Sequence, residues 1–309
     1  MKNRLLFIIF CIVVMVVLAI KMRLPSSVKD MLIRSPLAEI YVKYVRDGKD
    51  FDPDHVITNL DNGMQIIVNK HDRCVCWFIR LAGHWDSNES KVLDQIVQKG
   101  YNIVEVGANF GVHTLRMADL VGNKGKVYAF EANPNVSKYL KESVSLNHLN
   151  NIVSVFEKAA GDVFEKAFLE FGVANIGGGH IVPSPSDTSI STEMVRLDDI
   201  IQEQRIDILK MDAEGCEFKV LQGANNLIER NLDHIIIMME FVPSHFKSQG
   251  SSAEAILQFL RSRGFSVWRI GKKNLGEPLL VSISNEELLK LSEADIVASK
   301  RDFIKDILM

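Results

Sequence analysis

Beyond residue 90, short apolar runs alternate with amphipathic segments along the chain. The apolar runs predict five strands, over Asn102–Val106, Lys126–Phe130, Ile152–Phe156, Ile206–Met211 and His234–Phe241. The segments with helical periodicity predict five helices, over 90–99, 111–121, 134–147, 217–229 and 252–263. Two final strands are predicted over Phe265–Ile270 and Ala294–Ala298. This alternation predicts a doubly wound α/β fold, with a mostly parallel seven-stranded sheet and an antiparallel last strand.

Two regions lie outside this alternation. In residues 55–84, alternating runs flank the turn Asp61-Asn62-Gly63 and predict a hairpin. The run CVCWFIRL over 74–81 predicts a further strand, with Cys74 and Cys76 on one face. The interval 171–195 is polar and glycine-rich, and it predicts a loop that acts as a lid.

The N-terminal run Leu5–Ile20 contains sixteen residues without a charge or a proline. As a helix it would span about 24 Å, and flanking Lys and Arg side chains can reach the interfaces of a hydrocarbon core of about 30 Å. A cleaved signal peptide and a buried helix are the alternatives, although the exit LAIKMRLPSS lacks a small-x-small cleavage site. We therefore predict a membrane anchor over 1–22.

The anchor defines the remaining organisation. A juxtamembrane, partly amphipathic linker is predicted over 23–50, and one folded domain over 51–309. Within that domain, the β-hairpin region covers 55–84 and the α/β core covers 100–300.

Charge is divided unevenly along the chain. The first 34 residues carry a net charge of +5 and the rest carries −8, which gives −3 for the whole. An acidic body argues against a nucleic-acid partner. Four cations follow the apolar run and two precede it, which favours a cytoplasmic body. Four cysteines without a C-x-x-C pair argue against a disulfide framework and against a structural metal.

A glycine turn stands where the first α/β strand meets its helix, in the segment VEVGANFGVHT over 104–114. Gly107 permits a sharp turn, and Gly111 permits close approach to the helix N-terminus. Glu131 ends the next strand, 24 residues after Gly107, where an acid can bind two ribose hydroxyls. The two features predict a nucleoside site. Because G-x-G-x-x-G is absent, S-adenosylmethionine fits better than a dinucleotide.

Two acids follow another buried strand. Asp212 and Glu214 would lie at the carboxyl edge of the sheet, where ligands of open α/β sheets bind. Acids at this place also cap helices, so the spacing alone leaves both roles open. Glu240 ends the following strand and could join them around a divalent cation. Because the sequence fixes no third ligand, we predict no metal site.

Four segments together resemble the FkbM-type S-adenosylmethionine-dependent methyltransferases. They are EVGANFGVHTL, VYAFEANP, NIGGGH with VRLDDII, and KMDAEGCEFKVLQGA. The resemblance covers about residues 75–300 and is densest over 103–134 and 196–224. It implies a Rossmann-like class I methyltransferase fold, S-adenosylmethionine as the cofactor, and methylation of a hydroxyl, commonly of sugars or natural-product scaffolds.

The resemblance also implies roles for individual residues. The methionine part of the cofactor would be held by Glu105, Gly107, Ala108, Asn109 and Gly111. Glu131 would bind the ribose, and Ala159 would touch the adenine. Asp212 and Glu214 would face the sulfonium or the acceptor hydroxyl.

A hydroxyl acceptor loses a proton during methyl transfer, so a nearby base assists the reaction. We predict Asp212, Glu214 and His180 as catalytic residues, since an imidazole with a pKa of about 6.5 suits this task. His113 is a further candidate, although a histidine in the first turn of a helix is more often a packing or capping residue. The other histidines are predicted to be structural: His55, His71, His84, His148, His234 and His245.

The prediction is a membrane-anchored O-methyltransferase acting on a hydroxyl of a sugar, glycolipid or related metabolite. A nicotinamide-dependent oxidoreductase is the first alternative, disfavoured by the missing third glycine. A catalytically silent adaptor with the same fold is the second, and it would predict a damaged cofactor motif. The sequence shows no such damage.

Overall fold

The computed structural model describes residues 35–172, 175–272 and 277–300. These residues form two compact units, one ending at Trp85 and the other beginning at Asp86. No helix in this part of the chain is long and apolar enough to span a membrane. The predicted anchor and residues 23–34 of the predicted linker lie outside the described residues.

The first unit contains an antiparallel sheet of three strands and two helical segments. Helix α1, Pro36–Tyr41, starts at Ser35, whose side chain accepts a hydrogen bond from the Ala38 N–H, and it continues as a π-helix over Val42–Arg46. The strands are β1 (Asp47–Asp50), β2 (His55–Asn59) and β3 (Gln65–Asn69). Strands β2 and β3 pair around Asp61-Asn62-Gly63, so the predicted hairpin is confirmed.

Residues 75–82 form a helix, and the prediction of a strand over 74–81 is wrong. At the start of helix α2, Val75–Ala82, the Asp72 carboxylate accepts hydrogen bonds from the N–H groups of Cys74 and Cys76, both at 3.0 Å. Trp77 and Leu81, four residues apart, pack in the core of this unit, which is the spacing of a helix face. Cys74 therefore precedes a helix and Cys76 lies inside it.

The second unit contains twelve strands in two sheets. They are β4 (Asn102–Val106), β5 (Lys126–Phe130), β6 (Val153–Phe156), β7 (Ala159–Ala160), β8 (Glu165–Gly172), β9 (Asn175–Val182), β10 (Ile190–Val195), β11 (Ile208–Met211), β12 (Ile236–Phe241), β13 (Ser266–Ile270), β14 (Leu280–Ser282) and β15 (Ala294–Ser299).

The main sheet has eight strands in the order β14-β13-β15-β12-β11-β4-β5-β6. Five neighbouring strands, β12, β11, β4, β5 and β6, are parallel. The last strand, β15, lies between β12 and β13 and runs antiparallel to both. This confirms the mostly parallel sheet with its antiparallel last strand. The short strand β14 is an eighth member that the sequence analysis did not predict.

Helices of the second unit alternate with these strands. They are α3 (Ser87–Ile96), α4 (Val112–Val121), α5 (Pro134–Leu146), α6 (Leu197–Ile200), α7 (Glu217–Gly223), α8 (Asn225–Arg230), α9 (Pro243–Ser248), α10 (Ala253–Ser262) and α11 (Asn285–Leu288). The single helix predicted over 217–229 is two helices, because Ala224 leaves helical geometry at φ −108° and ψ 12°. The core between sheet and helices is formed by buried aliphatic side chains such as Leu209, Ile237 and Leu257.

A small sheet replaces the loop predicted over 171–195, and that prediction is wrong. Its strands lie in the order β7-β10-β8-β9. Residues buried on β8 alternate with more exposed ones, as Ala167 and Leu169 show. Strand β9 contains Gly177, Gly178 and Gly179, which have no side chains to show alternation, and this hid the strand from pattern analysis.

Candidate functional site

The glycine turn after β4 is built by close backbone contacts. Gly107 has φ 78°, and a Cβ atom there would lie 1.8 Å from the Asp212 carbonyl oxygen. The N–H groups of Gly107 and Ala108 both donate to the Phe130 carbonyl at 3.0 Å. The turn is therefore fixed between the ends of β11 and β5, and only glycine fits at position 107.

Glu131 follows β5 and is 6% exposed. One carboxylate oxygen accepts a hydrogen bond from the Asn109 N–H at 2.7 Å, and the other accepts from the Asn133 N–H at 2.8 Å. Burial raises the pKa of Glu131 to about 7, and the two N–H donors oppose this rise. The acid and the glycine turn are thus one connected structure.

A cavity opens at this edge of the main sheet. Of the residues predicted for the site, the following line it: Gly107, Asn109, Glu131, Ala159, Asp212 and Glu214. The structure thus brings together acids from two strand ends and the glycine turn, as the sequence predicted.

Four predicted site residues lie outside this lining. Gly111 caps α4 with φ 100°, and Ala108 is buried beneath the turn. Glu105 is buried and accepts a hydrogen bond from the Thr114 hydroxyl at 2.5 Å. His180 is exposed on β9. Burial and then the Asp212 charge raise the pKa of Glu214, whereas the charges of His245 and His180 lower it.

Strand β9 forms a wall of the cavity that the sequence analysis missed. Gly177 and Gly179 line the cavity, and a Cβ atom at Gly177 would lie 2.2 Å from the Asn109 side chain. The Asn133 side chain donates to the Ile176 carbonyl at 3.2 Å. The glycine run was the available signal, since glycine is required where one backbone approaches another group closely.

Acids that follow β11 and an acid of β12 lie close together at this edge of the sheet. Glu214 has φ 49°, a left-handed conformation that is unfavourable for glutamate and recurs at functional sites. Gly215 follows at φ 101°, where a Cβ atom would lie 2.6 Å from the His245 carbonyl oxygen. Burial, followed by the charges of Asp212 and Glu214, raises the pKa of Glu240. Glu240 therefore lies beside the predicted acids.

His245 is another residue whose place beside the site the sequence did not reveal. It was predicted to be structural, yet its Nδ1 lies 3.8 Å from a carboxylate oxygen of Glu214 and 3.8 Å from one of Glu240. No sequence pattern predicts these contacts, because His245 of α9 lies near the end of β11 only in the folded chain.

A buried charge cluster supports the β11 edge from below. The Lys210 ammonium lies 3.3 Å from the Glu89 carboxylate, which lies 3.3 Å from Nδ1 of His113. Burial lowers the pKa of Lys210, but the charges of Glu89, Asp212 and Glu105 outweigh it, so the net change is upward. Lys210 is therefore a fixed cation under the site, and His113 lies in this cluster rather than in the cavity lining.

Comparison with known proteins agrees with this geometry. The methyltransferase FkbM domain matches residues 105–267, from the glycine turn through β13. The chain belongs to the FkbM methyltransferase family. Its cofactor is S-adenosylmethionine, and the domain is that of a methyltransferase. The cavity fits this cofactor, because it places a buried acid, Glu131, beside the glycine turn at a strand end.

The chain is 32% identical over 128 residues to one relative. This relative is a probable cobalt-precorrin-6B C(15)-methyltransferase (decarboxylating) of Sulfolobus acidocaldarius. The match covers 40% of this chain and 66% of that relative, slightly under two thirds of its length.

Two solved structures are also similar. The SAM-dependent O-methyltransferase of Thermotoga maritima is 14% identical with a TM-score of 0.42, covering 85% of this chain and 81% of that one. A SAM-dependent methyltransferase of Aquifex aeolicus is 16% identical with a TM-score of 0.38, covering 69% and 88%. Likeness at this level carries no substrate or mechanism over to this FkbM protein.

Proposed function

We propose that this FkbM protein transfers the methyl group of S-adenosylmethionine to a hydroxyl of a sugar, glycolipid or related metabolite. One observation carries the proposal: a single cavity is lined by Glu131 at one strand end and by Asp212 and Glu214 at another. The first acid suits a ribose, and the other two suit a hydroxyl that must lose a proton.

The side of the cavity formed by the glycine turn binds the cofactor. Glu131 accepts the ribose hydroxyls, and Gly107 and Asn109 leave room for the methionine part. Ala159, at the start of the small sheet, lies in the same lining and provides an apolar contact for the adenine. The buried Glu105 acts one layer below, where it adds negative charge beside Lys210 rather than touching the ligand.

The acids of the β11 edge act on the acceptor. Bound S-adenosylmethionine supplies an electrophilic methyl group, so alignment of the acceptor oxygen contributes much of the rate. Asp212 takes the hydroxyl proton, and Glu214 orients the acceptor at the cavity mouth. His180 adds a polar group at the rim, within electrostatic range of Glu214.

We also propose that the protein is anchored by its N-terminal run, with the domain on the cytoplasmic side. The sixteen-residue apolar run and the four cations that follow it support this orientation. An anchored domain would meet acceptors that are membrane-associated or delivered near the membrane.

The function is tested by incubating the full-length protein with methyl-labelled S-adenosylmethionine and separated glycan, lipid and small-molecule fractions. We expect label in a hydroxyl-bearing product, and the loss of turnover in Asp212→Asn with cofactor binding retained. Glu142→Gln, an exposed substitution on α5, is the matched control. Full activity of Asp212→Asn, or label found only on nitrogen or carbon, would contradict the proposal.

A further inference from the structure

Three side chains converge next to the cavity without bonding to one another. Glu214 follows β11, Glu240 lies near the end of β12, and His245 lies in α9. One potential ligand atom from each lies within 4.8 Å of the others. We call these three residues the Glu–Glu–His cluster.

The separations within the cluster are too long for hydrogen bonds. Nδ1 of His245 is 3.8 Å from a carboxylate oxygen of each glutamate. Two ligand atoms that each lie about 2.2 Å from one metal ion, at an angle of about 120°, are separated by this distance. Nδ1 is also buried and makes no hydrogen bond with any described residue. A cation between these atoms would satisfy all three.

A second, independent observation comes from Glu217. This side chain is fully buried, and one of its oxygens accepts a hydrogen bond from the Ala213 N–H at 2.7 Å, in the segment that carries Glu214. Its other oxygen, Oε2, is buried and has no hydrogen-bond partner among the described residues. A buried, unsatisfied carboxylate oxygen is costly, and a nearby cation or its bound water offsets that cost.

The electrostatics of the site point the same way. Four acids, Asp212, Glu214, Glu217 and Asp295, lie close enough to Glu240 for their charges to act on it. Lys210, the buried cation under this edge, is already paired with Glu89. Positive charge supplied from outside the chain would therefore be strongly favoured at this edge.

We propose that Glu214, Glu240 and His245 bind one divalent cation beside the cofactor cavity. The ligand set combines two carboxylates with one imidazole, which suits a first-row ion such as Mn²⁺ better than Ca²⁺. Glu214 also lines the cavity, so the cation faces the place where an acceptor would lie.

The role of the cation rests on the proposed function. A cation that holds the acceptor oxygen lowers the pKa of its hydroxyl. The oxygen then forms the new O–C bond as the C–S bond breaks, the C–S electron pair stays on sulfur, and the hydroxyl proton passes to Asp212. Charge and atoms balance without any further reactant.

The test is a titration of the full-length protein with Mn²⁺. Electron paramagnetic resonance measures binding as the loss of the free-ion signal. We expect one bound ion per chain and nitrogen modulation from one histidine in the pulsed spectrum. His245→Ala should abolish the nitrogen modulation, and Glu240→Gln should weaken binding by at least about tenfold. Glu142→Gln should bind as the parent does, and Mg²⁺ and Zn²⁺ are used as competitors.

Cofactor binding and circular dichroism are measured on the same samples, so that a misfolded variant is recognised. Absence of Mn²⁺ binding in a protein that binds S-adenosylmethionine would overturn the cation site and leave the proposed function intact. Equal Mn²⁺ binding in the parent and both cluster variants would place the ion elsewhere and also overturn it. A protein that binds Mn²⁺ but not the cofactor would instead contradict the proposed function.

Discussion

One edge of the main sheet carries two groups of acids, and their surroundings differ. Glu131 after β5 is buried, whereas Glu214 and Glu240 at the ends of β11 and β12 are half-buried. Both oxygens of Glu131 accept hydrogen bonds from backbone N–H groups, at 2.7 and 2.8 Å. In the Glu–Glu–His cluster, the atoms stand 3.8 Å apart and lack such donors. An acid held by the protein's own donors is pre-oriented for neutral hydroxyls, whereas acids crowded together without such donors favour a positively charged partner.

The largest effect is expected from Gly107→Ala, which disrupts the glycine turn that supports Glu131. Gly107→Ala places a methyl group 1.8 Å from the Asp212 carbonyl, so the ends of β4 and β11 must separate. We expect a loss of about 3 kcal/mol in the free energy of unfolding and the loss of cofactor binding. Urea denaturation and calorimetric titration measure both.

Gly122→Ala is the control for Gly107→Ala. Gly122 also has a positive φ, 63°, but its Cβ position faces open space. Because Gly122 also has ψ −168°, a backbone region that few residues other than glycine adopt, we expect a loss of about 1–3 kcal/mol in the free energy of unfolding there, with cofactor binding unchanged. Equal losses of cofactor affinity at the two positions would show that the contact with Asp212 is unimportant.

A smaller effect is expected from Glu131→Gln, which keeps the shape of the side chain and removes its charge. Hydrogen bonds to an ionised group contribute about 1.5–3 kcal/mol, so we expect cofactor affinity to fall by about 10- to 100-fold at pH 8. The pKa of Glu131 is about 7, so its carboxyl ionises as the pH rises from 6 to 8. Parent affinity should therefore increase over this range.

The glutamine variant has nothing to ionise at this position, so its affinity should be flat between pH 6 and 8. Calorimetric titrations at several pH values compare the two proteins, with Glu142→Gln alongside. A slope that persists in Glu131→Gln would mean that another group causes it.

The smallest effect is expected from Glu240→Gln, in the Glu–Glu–His cluster. Burial, and then Asp212, raises the pKa of Glu240 above its ordinary value of 4.5. The folded protein therefore keeps a proton that the unfolded chain has released, and stability falls as the pH rises from about 4.5 towards the folded pKa. Glu240→Gln removes this loss, so the variant should be more stable than the parent at pH 8.

The expected gain is about 1 kcal/mol without divalent cations, a figure reduced for solvent screening because the Glu240 side chain is 33% exposed. Added Mn²⁺ should reverse the order, since only the parent keeps the full ligand set. Urea melts with a chelator and with Mn²⁺ make this comparison. If Glu240→Gln is less stable than the parent in the presence of the chelator, the neighbouring acids do not repel the charge of Glu240.

Much of this site could be predicted because its parts follow directly from strand ends. Strands β4 and β5 have the predicted bounds, since each is a short apolar run set between a turn and an amphipathic helix in a regular β–α alternation. The acids after β5 and β11 then fall at one edge of the sheet. The helix over 75–82 was missed because an apolar run of this length fits a strand or a helix equally well. Its hydrogen bonds to Asp72 decide the outcome.

The missed site residues share another cause. His245 reaches Glu214 through the packing of α9, and Lys210 meets Glu89 across more than a hundred residues of sequence. Neither contact leaves a local pattern, because residue spacing along one element does not encode distances between elements. The glycine run of β9 has no side-chain alternation, so its place as a wall of the cavity emerged only from the fold.

The most direct test of the cofactor site is a titration of the full-length protein with S-adenosylmethionine and, in parallel, with NAD⁺. We expect saturable binding of one S-adenosylmethionine per chain, lost in Glu131→Ala and kept in Glu142→Gln, with no competition from NAD⁺. Binding of NAD⁺ at this site, or undiminished binding of S-adenosylmethionine by Glu131→Ala, would contradict this expectation.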